Sequence, residues 1–166
     1  MPSTPRPLTL EDLAAIQDLR DRFVDAANLR NYDAFADLFA DDGVWEIPDM
    51  QAHFRGRATI RVGIEQMLDL WTGFVQLPHG GPVTAADDGA TGRVYVQEFG
   101  TFRRGGSQTN TAFYDDRYVR GSTPEGAAWR FARRAYHFLY VDETPLAGRM
   151  LAPPARLRRA DVAPDA

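Results

Sequence analysis

Apolar residues recur at helical spacing through Leu13, Ile16, Leu19, Phe23 and Ala27, so the chain is expected to open with an amphipathic helix. Thr9 is placed to cap it. Asp12, at the third helical position, completes a capping box in which Asp stands for the usual Glu. Arg20, Asp21 and Arg22 fall mostly outside the apolar stripe, and Asn28 lies past its edge near the helix end. Asn31 can cap a second, short helix carrying Phe35, Leu38 and Phe39, which Asp41-Asp42-Gly43 would end as a turn. Val44–Ile47 reads as a short strand stopped by Pro48, with Met50–Phe54 as its returning partner. After Gly56 a third helix is expected, with Ile60, Ile64, Met67, Leu68 and Trp71 on one face and Gly73 closing it.

From Phe74 the pattern changes to strands separated by turns at Asp87-Asp88-Gly89, Gly105-Gly106 and residues 121–126. Segments 92–103, 107–120 and 128–141 are long enough for a strongly bent antiparallel sheet. Helices first and strands later predicts an α+β domain, with three N-terminal helices packed on one face of a curved antiparallel sheet. The domain is expected over residues 9–148. It would follow a disordered segment, 1–8, and precede a Pro/Arg-rich tail, 149–166, that is loose or packed on a neighbour.

Composition narrows the chemistry. At 166 residues, with 44% apolar and 11% aromatic residues, the chain can bury a core. The net charge of −4 suggests no nucleic-acid groove, and no apolar run reaches a bilayer-spanning length. The N-terminal stretch carries no apolar signal segment, so a cytoplasmic location is the default expectation. With no cysteine, thiol nucleophiles and thiolate metal sites are excluded. All 19 basic residues are arginine, which excludes a lysine Schiff base. Acid–base chemistry near neutral pH would fall mainly to His53, His79 and His137. No metal-ligand spacing and no phosphate-binding glycine loop is present, so neither a metal nor a cofactor is expected.

The order of elements over residues 9–148 resembles the SnoaL-like branch of the NTF2-like fold, a cone of helices on a curved sheet. Ala15-Ile16-Gln17-Asp18-Leu19, Asp42-Gly43-Val44-Trp45 and Thr144-Pro145-Leu146-Ala147-Gly148 look especially like its dehydrochlorinase subgroup. The branch also includes scytalone dehydratase, polyketide cyclases and the small subunits of ring-hydroxylating dioxygenases. In the dehydratase and dehydrochlorinase relatives an Asp near the end of the first helix orients a His on a strand, and the His removes a proton next to a leaving group. The matching position for the Asp is Asn28, which accepts a hydrogen bond but supplies no negative charge. The best match for the His is His79, in the segment Leu77-Pro78-His79-Gly80-Gly81-Pro82.

What the resemblance implies is a cofactor-free dehydratase or cyclase, a lyase or isomerase of secondary metabolism. Its substrate would be an apolar polycyclic or polyketide-like molecule. His79 would serve as acid or base, oriented by Asn28 and Tyr32, with Asp116 and His137 as further candidates. Trp45, Met67, Trp71, Phe99, Phe113 and Tyr114 would line the substrate pocket. Alternation along 109–119 sets Asn110, Ala112, Tyr114, Asp116 and Tyr118 on one face, which suits a cavity wall or a subunit contact equally. A non-catalytic ligand binder or a dioxygenase-type structural subunit stays open, as does an epoxide hydrolase, although its Asp-Arg-Asp arrangement finds no match here. A homodimer or homotrimer is the expected assembly, with no nucleic-acid or membrane partner.

Overall fold

The capping box forms as expected. Thr9 accepts a hydrogen bond from the Asp12 amide at 3.1 Å, and the Asp12 carboxylate accepts one from the Thr9 amide at 3.0 Å. They start helix α1, Leu10–Leu29. The helix stops where Arg30 turns left-handed, φ 57°. The Arg30 guanidinium then donates to the carbonyls of Leu68 at 2.7 Å and Trp71 at 2.8 Å. One side chain thus ties the end of α1 to the exit of α3 (Arg57–Asp69) and the start of β3 (Trp71–Pro78). Between them lie α2 (Tyr32–Asp37), capped by the Asn31 side chain, and β1 (Phe39–Ile47), a one-turn 3-10 helix and β2 (Ala52–Arg55). The remaining strands are β4 (Val83–Ala86), β5 (Gly89–Phe102), β6 (Ser107–Thr123) and β7 (Gly126–Asp142). This computed structural model describes residues 5–123, 126–154 and 157.

The seven strands form one sheet in the order β2-β1-β7-β6-β5-β3, with β4 also paired to β5. All pairings are antiparallel except β1 with β7, which is parallel, so the sheet is mixed. Two register shifts interrupt the β6–β7 ladder, at Thr111/Ala112 and at Arg117/Tyr118. Such bulges add twist and let long strands curve around the helices. The α+β arrangement with three helices on a curved sheet is the one expected, but the sheet is mixed and not wholly antiparallel, because β1 runs parallel to β7. The core joins Ile16, Leu19 and Phe23 of α1 to Phe35 of α2 and to Phe39, Val94, Tyr118 and Phe131 of the sheet.

Several boundaries differ from expectation, each for a local reason. Phe39 begins β1 instead of ending α2, and Asp41-Asp42 form an exposed irregularity inside β1, between the partners of Phe131 and Arg133. The third helix ends at Asp69, so Trp71 belongs to β3, where its ring stacks on Phe102 with centroids 4.0 Å apart. Gly73 lies within β3 and closes no helix. A Cβ there would stand 2.6 Å from Met150, so the missing side chain lets the C-terminal segment pack on the strand. Arg20 is fully buried rather than outside the stripe. At the N-terminal side, Leu8 packs on the core and Arg6 pairs with Asp12 at 3.1 Å. The turn expected at residues 121–126 lies partly outside the described residues.

Candidate active site

Between the helices and the concave face of the sheet lies a cavity of about 700 Å³. Phe23 and Ala27 of α1, Phe35 of α2, Trp45 and Ile47 of β1, and Ile64, Met67 and Leu68 of α3 give it an apolar wall. The exposed residues Asp69, Leu70, Arg103 and Arg104 also line it. Volume and lining suit a small, largely apolar molecule.

The polar part of the wall comes from four strands at once. Glu98 of β5 is only 8% exposed. Its Oε2 accepts from the Tyr136 hydroxyl of β7 at 2.6 Å and from Asn110 Nδ2 of β6 at 3.3 Å. Its Oε1 accepts from Gln76 Nε2 of β3 at 2.5 Å, and the same nitrogen donates to the Tyr114 hydroxyl of β6 at 3.0 Å. Gln108 supports Asn110 through a 2.6 Å bond. Burial pushes the Glu98 carboxyl above the ordinary range, because the charged form loses its water, while the hydrogen bonds from Tyr136, Gln76 and Asn110 pull the other way. Burial, together with the neighbouring Glu98, also raises the phenols of Tyr114 and Tyr136, so both stay protonated and can donate. Gln76 Oε1 and Trp45 Nε1 are buried on this wall without a hydrogen-bond partner.

A second buried network lies next to the cavity. Asp116 pairs with Arg134, whose Nε is 2.9 Å from Oδ1 and whose Nη2 donates to Oδ2 at 3.1 Å. Tyr118 donates to the same carboxylate at 2.6 Å and accepts from Arg20 Nε at 2.7 Å. Arg20 also reaches the carbonyls of Gly81 and Pro82. The Arg134 guanidinium sits 4.1 Å from the ring centroids of Phe23 and Tyr114 and 4.2 Å from that of Phe131. Burial raises the Asp116 carboxyl, opposed by Arg134, Tyr118 and Arg20. This cluster buries two cations against one carboxyl and braces Tyr114 from behind, but Asp116 does not line the cavity.

The sequence candidates separate clearly. Trp45, Met67, Trp71 and Tyr114 line the cavity. Phe99 and Phe113 do not, because they alternate with Glu98 and Tyr114 and so sit on the outer face of the sheet. His79 lies just beyond β3 and is exposed, and its backbone amide pairs with Tyr95 O at 2.8 Å. His137 stacks on Phe113 at 5.1 Å on the outer face. Tyr32 packs against the core from the start of α2 without reaching the cavity. His53 is an exposed partner of Glu46. No histidine therefore lines the cavity.

Asn28 does meet β3, but three residues before His79. Its Oδ1 accepts from Gln76 N at 2.8 Å and its Nδ2 donates to Gln76 O at 2.9 Å. The strand position held by the end of α1 is thus Gln76, an amide.

Glu98, Gln76 and Tyr136 were not singled out by sequence reasoning as site residues, and Asn110 was placed only on a strand face that suits a cavity wall or a subunit contact. Glu98 had a signal, since it keeps the phase of Val94 and Val96, both buried on the inner face of β5. A carboxyl in register with buried valines marks an interior acid. For Tyr136 the signal was hidden. Alternation from Trp129 and Phe131 places His137 inward, but the shift at Arg117/Tyr118 inserts an extra residue after Phe131 and turns Arg134 and Tyr136 inward instead.

The sequence profile of the SnoaL-like domain matches residues 8–135. No curated protein sequence matches the chain. Among solved structures, LinA is 26% identical with a TM-score of 0.74, covering 87% of this chain and 96% of its own. LinA type 2 is a hexachlorocyclohexane dehydrochlorinase. A provisionally assigned aromatic ring hydroxylase from Novosphingobium aromaticivorans is 26% identical, TM-score 0.72, covering 82% and 96%. A provisionally assigned scytalone dehydratase from the same species is 16% identical, TM-score 0.70, covering 87% and 93%, and shows the fold alone. The likeness to LinA gives the architecture its name, an NTF2-like α+β fold.

Proposed function

The chain belongs to the SnoaL-like domain family, and from that premise we propose that it is a cofactor-independent lyase or isomerase acting on an apolar, oxygenated small molecule, with Glu98 carrying the proton. The observation that supports this reading is a buried carboxyl, raised by that burial, on the wall of an apolar cavity, bonded to the Tyr136 phenol and linked through Gln76 to that of Tyr114. Such a carboxyl holds a proton more strongly than a solvated one and is a better base when ionised. The names of the dehydrochlorinase and dehydratase relatives denote eliminations, in which a proton and a leaving group depart together or in turn.

In the proposed reaction ionised Glu98 takes a proton from a carbon next to a carbonyl. Tyr114 donates to the carbonyl oxygen as negative charge develops there. The proton on Glu98 then goes to a departing hydroxide, giving water and a new double bond, or to another atom of the substrate, giving an isomer. The apolar wall keeps solvent from the carbanion. Tyr136, Gln76 and Asn110 orient the carboxyl, and Asn28 fixes the strand that carries Gln76. His79, His137 and Asp116 have no part in this chemistry. Assembly as a homodimer or homotrimer through the outer sheet face of Tyr95, Phe113 and His137 belongs to the same reading.

Proton exchange tests this without knowing the natural substrate. In D2O the protein should accelerate exchange of the α-hydrogens of 2-tetralone, followed by NMR, and Glu98→Gln should remove the acceleration. No acceleration by the wild-type protein, or equal acceleration by Glu98→Gln, would sink the proposal.

A further inference from the structure

Besides Trp45 Nε1, two joined residues of the cavity lining keep unused hydrogen-bonding capacity. Gln76 Oε1 is buried and accepts no hydrogen bond, although Gln76 is only 2% exposed. The Tyr114 hydroxyl accepts from Gln76 Nε2, while among the described residues its own proton has no acceptor. The two side chains are joined by that bond, so an unpaired acceptor and an unpaired donor proton belong to neighbouring residues of the cavity lining. An orphaned buried acceptor is destabilising unless something binds it.

We infer that Tyr114 and Gln76 form a reader for one neutral hydroxyl on an apolar ring, and that this pair sets the substrate preference of the site. A hydroxyl uses both groups, accepting from Tyr114 and donating to Gln76 Oε1. A ketone or ether oxygen uses only Tyr114 and leaves Gln76 unpaired. A carboxylate would set a second negative charge near Glu98.

The inference rests on the proton-transfer reading and extends it. When Glu98 takes the α-proton and passes it to the carbonyl oxygen, a C–H bond breaks and an O–H bond forms, and no other reactant is consumed. The product is an enol, whose new O–H has Gln76 Oε1 as its acceptor. The wall therefore complements the enol better than the ketone, which is the direction in which binding accelerates a reaction. Tyr114 is held for this role from behind, with the Arg134 guanidinium 4.1 Å from its ring centroid and the Phe23 ring edge-on at 5.3 Å.

The test is a binding comparison by calorimetry with 2-naphthol, 2-methoxynaphthalene and 2-acetylnaphthalene, which share a ring and differ in hydrogen-bond capacity. The wild-type protein should bind 2-naphthol about tenfold or more tightly than either acceptor-only ligand, the worth of one added hydrogen bond. Gln76→Leu should shrink that preference severalfold, whereas Tyr114→Phe, which removes the donor shared by all three ligands, should weaken the binding of each of them. Equal affinities across the three ligands, no binding of any of them, or a preference that survives Gln76→Leu would overturn the inference. The wild-type ranking decides even where a variant fails to fold. A hydroxyl preference without Glu98-dependent exchange would overturn only the proposed reaction. Glu98-dependent exchange without the preference would overturn only the reader.

Discussion

Asn28 spends both ends of its amide on the backbone of one residue, Gln76, at 2.8 and 2.9 Å. The pairing copies a β-ladder exchange and lets a helix end take the place of a neighbouring strand. It also sets the height at which the Gln76 side chain enters the cavity wall. Replacing Asn28 by Asp keeps the acceptor for Gln76 N and turns the donor into a carboxylate oxygen facing Gln76 O. We expect Asn28→Asp to lose about 1–3 kcal/mol of stability, measured by urea denaturation. A variant as stable as wild type would show that the clamp contributes little.

Glu98→Gln keeps the size of the side chain and removes the proton carrier. Once a substrate or exchange probe is in hand, kcat should fall by about 10²–10⁴-fold, with far-UV circular dichroism unchanged. His79→Ala and His137→Ala should stay within about twofold of wild type, because neither ring lines the cavity and surface changes are rarely felt beyond it. A hundredfold loss in His79→Ala would return the acid–base role to the histidine that the sequence pointed to.

Stability should carry a signature of Glu98. Its folded pKa is raised above the unfolded value of about 4.3. The folded protein therefore keeps a proton that the unfolded chain releases. That contribution is complete below the unfolded pKa and is lost as pH rises through the folded pKa. Differential scanning calorimetry should show the Tm of Glu98→Gln gaining on wild type from about pH 4 upward and then levelling off. A pH-independent difference would mean that Glu98 titrates normally.

Activity should depend on the same group with the opposite sense, since the base must be ionised. The acid limb of the kcat/KM profile should lie above the ordinary carboxylate range. Tyr136 lowers the Glu98 pKa through its 2.6 Å bond, so Tyr136→Phe should move that limb to higher pH. A merely structural role for Tyr136 would lower the rate without moving the limb.

The Asp116–Arg134 pair is almost fully buried, so its halves are not separately dispensable. Arg134→Met should cost about 3–5 kcal/mol, because it strands a carboxyl in the core. Adding Asp116→Asn should recover part of that loss, as a double-mutant cycle by urea denaturation would reveal. Additive losses would show that the two side chains stabilise the fold independently.

The amino-acid sequence by itself determined the features that depend on neighbours in the chain. The Thr9–Asp12 cap, the stripe of α1, the Gly105-Gly106 hairpin and the order of helices before strands all follow from local periodicity and capping. That order was enough for the α+β cone, and placing Trp45, Met67 and Tyr114 inside needed little more. Only the tertiary structure decided which face of β7 looks inward, because one extra residue at a bulge exchanges His137 for Tyr136 and no local pattern marks it. It also decided the site itself. Glu98, Gln76, Asn110 and Tyr136 come from four strands, separated by up to 60 residues between Gln76 and Tyr136. Their hydrogen bonds, and the burial that raises the carboxyl, exist only once the sheet has curved around the cavity and excluded water.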